Sequence, residues 1–120
     1  MKLVSFAAAL ASVFALKPRD MAPNFTNVNA VLGTTMNTVS LNDYKDKWLV
    51  MLFYPFDFTY VCPTELIAFS DAITKFKDLG ADVIGISGDS QFTHLAWAKT
   101  PRSEGGIGEL SFPLLADVSK

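Results

Sequence analysis

The sequence is poor in the side chains that most often bind metals or form disulfides. Its 120 residues contain one cysteine, Cys62, and one histidine, His94. A single cysteine excludes an internal disulfide and a redox-active cysteine pair. One histidine and one cysteine cannot supply the four nitrogen or sulfur ligands of a usual structural zinc site. The sequence therefore predicts neither a disulfide framework nor a structural metal.

An excess of positive charge is also missing. Ten Lys and Arg residues stand against twelve Asp and Glu residues, which gives a net charge of −2. Nucleic-acid binding depends on a basic surface that displaces counterions, so we expect no nucleic-acid partner. Half of the residues are hydrophobic and only 18% are charged. This composition excludes a disordered chain and favours one small globular domain.

The first fifteen residues have the pattern of a targeting segment. Lys2 precedes the uncharged run Leu3–Leu16, which is shorter than the roughly 20 residues that a membrane-spanning helix needs. A positive start, an apolar stretch and small residues are typical of a secretory signal peptide, and Val13 and Ala15 suit its cleavage site. We predict a signal peptide over 1–15, targeting to the secretory pathway and no membrane span. An N-terminal helix that stays in the mature protein is the alternative.

A second destination is open for the same segment. Ala11–Ala15 resembles the signal of nucleus-encoded plastid proteins in algae with secondary plastids, in which cleavage precedes the phenylalanine, here Phe14. This resemblance implies a plastid protein with a bipartite targeting signal. Without it, we expect a secreted or endoplasmic reticulum protein.

The remaining chain predicts an α/β domain. Residues 16–27 are polar and read as a linker and loop, and residues 28–120 as the domain. Residues 28–41 favour a hairpin, and Trp48–Phe53 favours a strand buried on both faces. Residues 83–86 favour a second buried strand.

Between these two strands the spacing of apolar residues predicts one helix. It starts at Pro63 and ends at Gly80. The apolar side chains that share one side of it are Leu66, Phe69, Ile73, Phe76 and Leu79. A strand, a helix and a second strand in this order form a crossover unit with a parallel strand pair.

Further along, Asp89 or Ser90 is suited to cap a short helix that passes through Trp97 and ends at Pro101. Gly105–Gly108 then predicts a flexible loop, and the apolar residues 112–115 favour a third core strand.

Cys62 lies at the junction between the first core strand and the long helix. Ligands gather at the carboxyl ends of strands in open α/β folds. A helix N-terminus favours a negative charge, and the thiolate is the nucleophilic form of cysteine. We therefore predict that Cys62 is reactive. A buried cysteine that packs as a small apolar residue is the alternative.

The residues around Cys62 resemble a known family. Pro55, Thr59 and Cys62 match the Pro-x-x-x-Thr-x-x-Cys motif of peroxiredoxins. The stretch from Phe53 to Glu65 is similar to the typical 2-Cys branch. Five further blocks are similar in the same order: residues 68–71, 89–97, 100–102, 105–108 and 113–117. The resemblance implies a thioredoxin-like fold of the peroxiredoxin type.

The resemblance also implies a function. The chain would be a thiol-dependent peroxidase that reduces hydrogen peroxide and organic hydroperoxides. Cys62 would attack the peroxide and become a sulfenic acid, Thr59 would hold the peroxide through its hydroxyl, and Pro55 would shield the site from water. Glu65 would support the site. No cofactor is implied; the reductant would be thioredoxin or a similar thiol, and family members form homodimers or larger assemblies.

Other residues are given structural roles. A Cys/His dyad with His94 is the tempting alternative, but the matching family position is structural, so we predict that His94 lies in the core with Trp97 and the phenylalanines. Gly105–Gly108 carries no phosphate-binding pattern and matches a glycine-rich family element linked to sensitivity toward overoxidation.

The family's resolving cysteine and its catalytic arginine have no counterpart among these residues. We therefore expect an incomplete domain that is cut after the third core strand. A truncated peroxiredoxin fragment without turnover, acting as a redox-sensing or binding module, is the alternative function.

Overall fold

A computed structural model describes residues 16–119 of the chain. The predicted signal peptide over 1–15 lies outside the described residues. Residues 16–27 form no helix or strand. The strands are β1 (Val28–Leu32), β2 (Thr35–Val39), β3 (Trp48–Phe53), β4 (Ala81–Ser87) and β5 (Leu114–Ala116). The helices are α1 (Cys62–Asp71), α2 (Ile73–Asp78) and α3 (Gln91–Lys99), with short 3-10 turns at Leu41–Tyr44 and Arg102–Glu104.

The five strands form one mixed sheet in the order β2-β1-β5-β4-β3. The predicted hairpin is present, because β1 and β2 pair antiparallel. The predicted crossover is also confirmed, because β3 pairs parallel with β4 and β4 with β5. Both crossovers step across the sheet in the same direction. With the usual right-handed connection they place their helices on the same face.

The core follows from this arrangement. The first apolar cluster joins the helices to one face of the sheet and contains Leu66, Val83, Trp97, Ile107, Leu110, Phe112 and Leu114. The second cluster lies on the opposite face and draws its buried residues from strands alone: Ala30, Val39, Ile84, Ile86 and Leu115. Across residues 16–119, no helix has both the length and the apolar character needed to cross a membrane.

Helix α3 forms as the sequence predicts. Ser90 is its N-cap residue, and the Ser90 hydroxyl accepts a hydrogen bond from the Thr93 N–H at 3.3 Å. The helix ends at Lys99, ahead of Pro101. Trp97 is fully buried, and its indole N–H donates to the Gly105 carbonyl at 3.1 Å.

Strand β3 corrects one prediction. A strand buried on both faces was expected, but β3 stands at an edge of the sheet and its terminal residues Trp48 and Phe53 are 78% and 72% exposed. Its continuous apolar run is the pattern of a central parallel strand. Within residues 16–119, however, it pairs with β4 alone.

The single helix expected between β3 and β4 is also corrected. It is interrupted at Ala72, whose ψ of 3° leaves the helical range, so that α1 and α2 are separate. The bend lets the Phe69 and Phe76 rings stack with centroids 5.5 Å apart. Leu79, expected on the apolar side, lies beyond the end of α2 and is exposed.

The phenylalanines do not all belong to the core, which overturns another prediction. Phe112 is buried, but four others are exposed: Phe53, Phe56, Phe58 and Phe92. The first three lie at or after the end of an edge strand. Phe92 lies on the outer side of α3. Periodicity could not reveal this, because their surroundings are set by distant parts of the chain.

Candidate active site

The candidate site is built on the loop between β3 and α1. Residues 54–61 leave the carboxyl end of β3, which is where open α/β sheets bind ligands. Cys62 is the first residue of α1, and it is a half-buried free thiol. The predicted placement of Cys62 at the junction of strand and helix is therefore confirmed.

The first turn of α1 begins at this thiol. Val61, the residue before the helix, provides no side-chain cap, and Pro63 has no N–H. The Thr64 N–H and hydroxyl both donate to the Val61 carbonyl, at 3.1 and 2.7 Å. The N-terminus of a helix carries a partial positive charge, and Cys62 is the first residue of that turn.

The other predicted site residues lie within the same short stretch of chain. Thr59 is half-buried, and its hydroxyl donates to the Phe56 carbonyl at 3.1 Å. Pro55 is exposed and lines a cavity of about 280 Å³ beside the end of β4. Glu65 is exposed on the first turn of α1. The roles of these three residues remain predictions.

Beneath the loop lies a buried polar group that sequence reasoning missed. The side chains of Asp57 and His94 are both fully buried, and the carboxylate Oδ2 lies 2.7 Å from the ring Nδ1. Asp57 Oδ1 accepts a hydrogen bond from the Tyr54 hydroxyl at 2.8 Å. On its other side, His94 Nε2 lies 3.2 Å from the Leu115 carbonyl. The group therefore links the loop to α3 and β5.

Both ring nitrogens of His94 have a polar partner in this group, the Asp57 carboxyl on one side and the Leu115 carbonyl on the other. Burial raises the pKa of the Tyr54 phenol above its ordinary value, and the nearby charge of Asp57 raises it further. Tyr54 is therefore a hydrogen-bond donor at neutral pH.

Two sequence observations bear on this group. His94 is in the core, as predicted, and its partner is Asp57 rather than Cys62. No sequence motif pointed to Asp57, although it is the one charged residue between Trp48 and Cys62. A charge in so apolar a stretch is a signal, because burying it requires a partner.

Among residues 16–119, no group of three or more His, Cys, Asp or Glu side chains is arranged to hold a metal ion.

Comparison with known proteins identifies the family of the chain. The model of the AhpC/TSA family matches residues 18–120. The chain belongs to the AhpC/TSA family. It is 58% identical over 99 residues to peroxiredoxin-2 of Rattus norvegicus, covering 82% of this chain and 50% of that protein.

Solved structures agree with the family assignment and with the fold. A reduced 2-Cys peroxiredoxin of Plasmodium vivax superposes with a TM-score of 0.78 at 42% identity, covering 82% of this chain and 52% of that one. A thioredoxin peroxidase I of Plasmodium yoelii gives 0.77 at 48% identity, covering 84% and 59%. The predicted thioredoxin-like α/β fold and the resemblance to 2-Cys peroxiredoxins are confirmed. The chain spans about half the length of the curated relatives it matches.

Proposed function

We propose that the chain is a thiol-dependent peroxidase whose reacting atom is the sulfur of Cys62. One observation carries this proposal: the only cysteine of a family member stands, half-buried and free, as the first residue of a helix at the carboxyl end of a parallel strand. A helix N-terminus supports the thiolate, and the thiolate is the form that attacks electrophiles.

In the proposed reaction, the thiolate of Cys62 attacks the terminal oxygen of a hydroperoxide, so that a sulfur–oxygen bond forms and the oxygen–oxygen bond breaks. The sulfur is oxidised by two electrons to a sulfenic acid, and the other oxygen leaves as an alkoxide or hydroxide that takes up a proton. The chemistry requires a nucleophile and hydrogen-bond donors for the leaving oxygen.

Three neighbouring residues have supporting roles in the proposal. The Thr59 hydroxyl, which donates to the Phe56 carbonyl in the structure, would turn to the peroxide when it binds. Pro55 would restrict water at the mouth of the site. Glu65 would support the first turn of α1, because an acidic residue there is favourable to the helix dipole.

Turnover requires a reductant. We propose thioredoxin or a similar thiol protein, since one structural neighbour is described as a thioredoxin peroxidase. One thiol would displace water from the sulfenic acid to form a mixed disulfide, and a second thiol would reduce it. We also propose that the chain self-associates, as the family resemblance implies, which sedimentation analysis would test.

The decisive experiment follows hydrogen peroxide consumption by the whole chain with a thioredoxin system. We expect turnover, and none with Cys62→Ser, which keeps the size of the side chain but removes the sulfur. A sulfenic acid trapped on Cys62 and detected by mass spectrometry would locate the reaction. Equal consumption by the chain and by Cys62→Ser would refute the proposal. A single equivalent of peroxide consumed without turnover would favour the redox-sensing fragment instead.

We further propose that residues 1–15 direct the chain to the secretory pathway, with the plastid as a second destination. The support is the positively charged start and the uncharged run that follows it. N-terminal sequencing of the protein purified from its source organism would test this. A mature chain that starts at Leu16 supports a signal peptide, a chain that starts at Phe14 supports plastid targeting, and a chain that keeps Met1 refutes both.

A further inference from the structure

The loop that carries the candidate site is held by its backbone as well as by the buried group beneath it. The Asp57 N–H donates to the Asp89 carboxylate at 2.8 Å. The same carboxylate oxygen accepts a hydrogen bond from the Ser87 hydroxyl at 2.8 Å, and the Ser87 oxygen accepts from the Asp89 N–H at 3.1 Å. Asp89 thereby ties the middle of the loop to the end of β4.

The contact acts at a strained point of the loop. Phe58, the residue after Asp57, has a φ of 54°, in the left-handed region that side chains other than glycine rarely adopt. Such a conformation is unfavourable and persists only where neighbouring contacts enforce it. The Asp89 contact holds the peptide between Phe56 and Asp57, one residue ahead of this strained position, and the ring of Phe58 lies 6.0 Å from that of Trp97.

Asp89 is not used by the helix that follows it. The sequence allowed either Asp89 or Ser90 to cap α3, and the structure assigns the cap to Ser90. The Asp89 carboxylate turns instead toward the loop, 32 residues earlier in the chain. Its contacts therefore serve the geometry of the loop rather than the start of α3.

We propose that Asp89 is a positioning residue for the reaction of Cys62 with hydroperoxides. By holding the Asp57 N–H, its carboxylate fixes the left-handed turn at Phe58, and this turn sets where Thr59 stands relative to the first residue of α1. The proposal rests on the proposed peroxidase function. It adds no chemical step, since Asp89 acts on the reaction only through the backbone of the loop.

Two substitutions separate positioning from charge. Asp89→Ala removes the acceptor of both hydrogen bonds. Asp89→Asn keeps an amide oxygen that accepts the same two bonds and removes only the charge. Ser90→Ala is the matched control, because it removes the α3 cap and leaves the loop contact intact.

The measurement compares two reagents on the thiol of the full chain. Iodoacetamide needs only an accessible thiolate, whereas hydrogen peroxide also needs an ordered site. Displacing reacting groups by about 1 Å costs on the order of 100-fold in rate, so we expect Asp89→Ala to slow the peroxide reaction about 10- to 100-fold while the iodoacetamide rate is unchanged. Asp89→Asn is expected to recover most of the peroxide rate, and Ser90→Ala to keep both rates.

The proposal is overturned if Asp89→Ala reacts with peroxide as fast as the parent, if Asp89→Asn is as slow as Asp89→Ala, or if both reagents slow together. Should Asp89→Ala not fold, Ser87→Ala takes its place. It removes one donor to the carboxylate, and we expect a smaller slowing of the peroxide reaction alone; equal slowing of both reagents counts against the proposal.

Failure of the proposed function would look different. A parent chain that reacts with peroxide no faster than free cysteine would overturn both proposals, and this result needs no variant. Even in that case, amide hydrogen exchange at Asp57 tests the hydrogen bond from its N–H to the Asp89 carboxylate. Faster exchange in Asp89→Ala than in Ser90→Ala shows that Asp89 holds the loop. Equal exchange in the two variants shows that it does not.

Discussion

Replacing His94 with leucine should destabilise the chain far more than neutralising its partner. The substitution leaves the fully buried Asp57 carboxylate without its donor at 2.7 Å. A buried polar group that loses its hydrogen-bond partner costs about 1–3 kcal/mol, and more when it is charged. The Leu115 carbonyl also loses its donor, which adds about 1 kcal/mol or more. Small domains are stable by only about 5–15 kcal/mol, so His94→Leu should remove a large part of the total.

Asp57→Asn is the matched variant, because it can keep every hydrogen bond of the group. The amide oxygen can accept from the Tyr54 hydroxyl, and the amide N–H can donate to Nδ1 of a neutral His94. The Nε2–H of that tautomer still donates to the Leu115 carbonyl. Because the amide can keep these hydrogen bonds, the cost of an unsatisfied buried group does not arise. We therefore expect the free energy of unfolding to change by less than about 1 kcal/mol.

Urea unfolding followed by tryptophan fluorescence measures both effects, with the slopes compared to verify that the same surface is exposed. An unfolded His94→Leu variant beside a folded Asp57→Asn variant would support the same reasoning. Two variants of equal stability would refute it, since the cost would then come from lost packing or shape rather than from a buried polar group left without its partner.

Two further predictions concern stability. Burial, and then the charges of Asp82 and Asp43, raise the pKa of Tyr44 from 10.0 to about 12. Between these two pH values the folded chain keeps a proton on Tyr44 that the unfolded chain releases, so the free energy of unfolding should fall as the pH rises from 10.0 toward about 12. Urea unfolding at several pH values should show a shallower fall for Tyr44→Phe than for the parent chain. An equal fall in both would contradict the raised pKa of Tyr44. A Cβ at Gly106 would overlap the Thr100 carbonyl group, whereas one at Gly80 meets open space at a φ of +70°. Gly80→Ala should cost about 1–2 kcal/mol, because alanine disfavours the left-handed backbone at that position. Gly106→Ala should lower the melting temperature more than Gly80→Ala does. A larger loss for Gly80→Ala would contradict the overlap at Gly106.

The local pattern of the sequence predicts the elements that depend on neighbours in the chain. The parallel pair of β3 and β4, the cap at Ser90 and the position of Cys62 at the start of a helix all follow from short spacings. The exposure of β3 does not, because it depends on which strand stands beside it. The interruption at Ala72 is likewise invisible to periodicity, since Phe69 and Phe76 keep helical spacing across it.

The polar contacts of the site could not be predicted from the sequence either, because they join residues that are far apart in the chain. The Asp57 side chain meets a histidine 37 residues away, and its N–H meets a carboxylate 32 residues away. No short motif encodes such distances. What the sequence does show is a lone charge in an apolar stretch, which requires a buried partner without naming it.

The loop is held by directional polar contacts as well as by the apolar core. The Tyr54 and Phe58 rings lie 6.2 and 6.0 Å from the ring of Trp97. Four of the loop's apolar side chains are nevertheless exposed, namely Phe56, Phe58, Tyr60 and Val61, so the hydrogen bonds at Asp57 add to a limited hydrophobic burial. Hydrogen bonds specify geometry within tenths of an ångström, whereas apolar burial is non-directional. On the proposed peroxidase function, a site that holds a thiol and a peroxide in line gains more from the first kind of contact, and the buried Asp57 supplies such contacts beneath the loop.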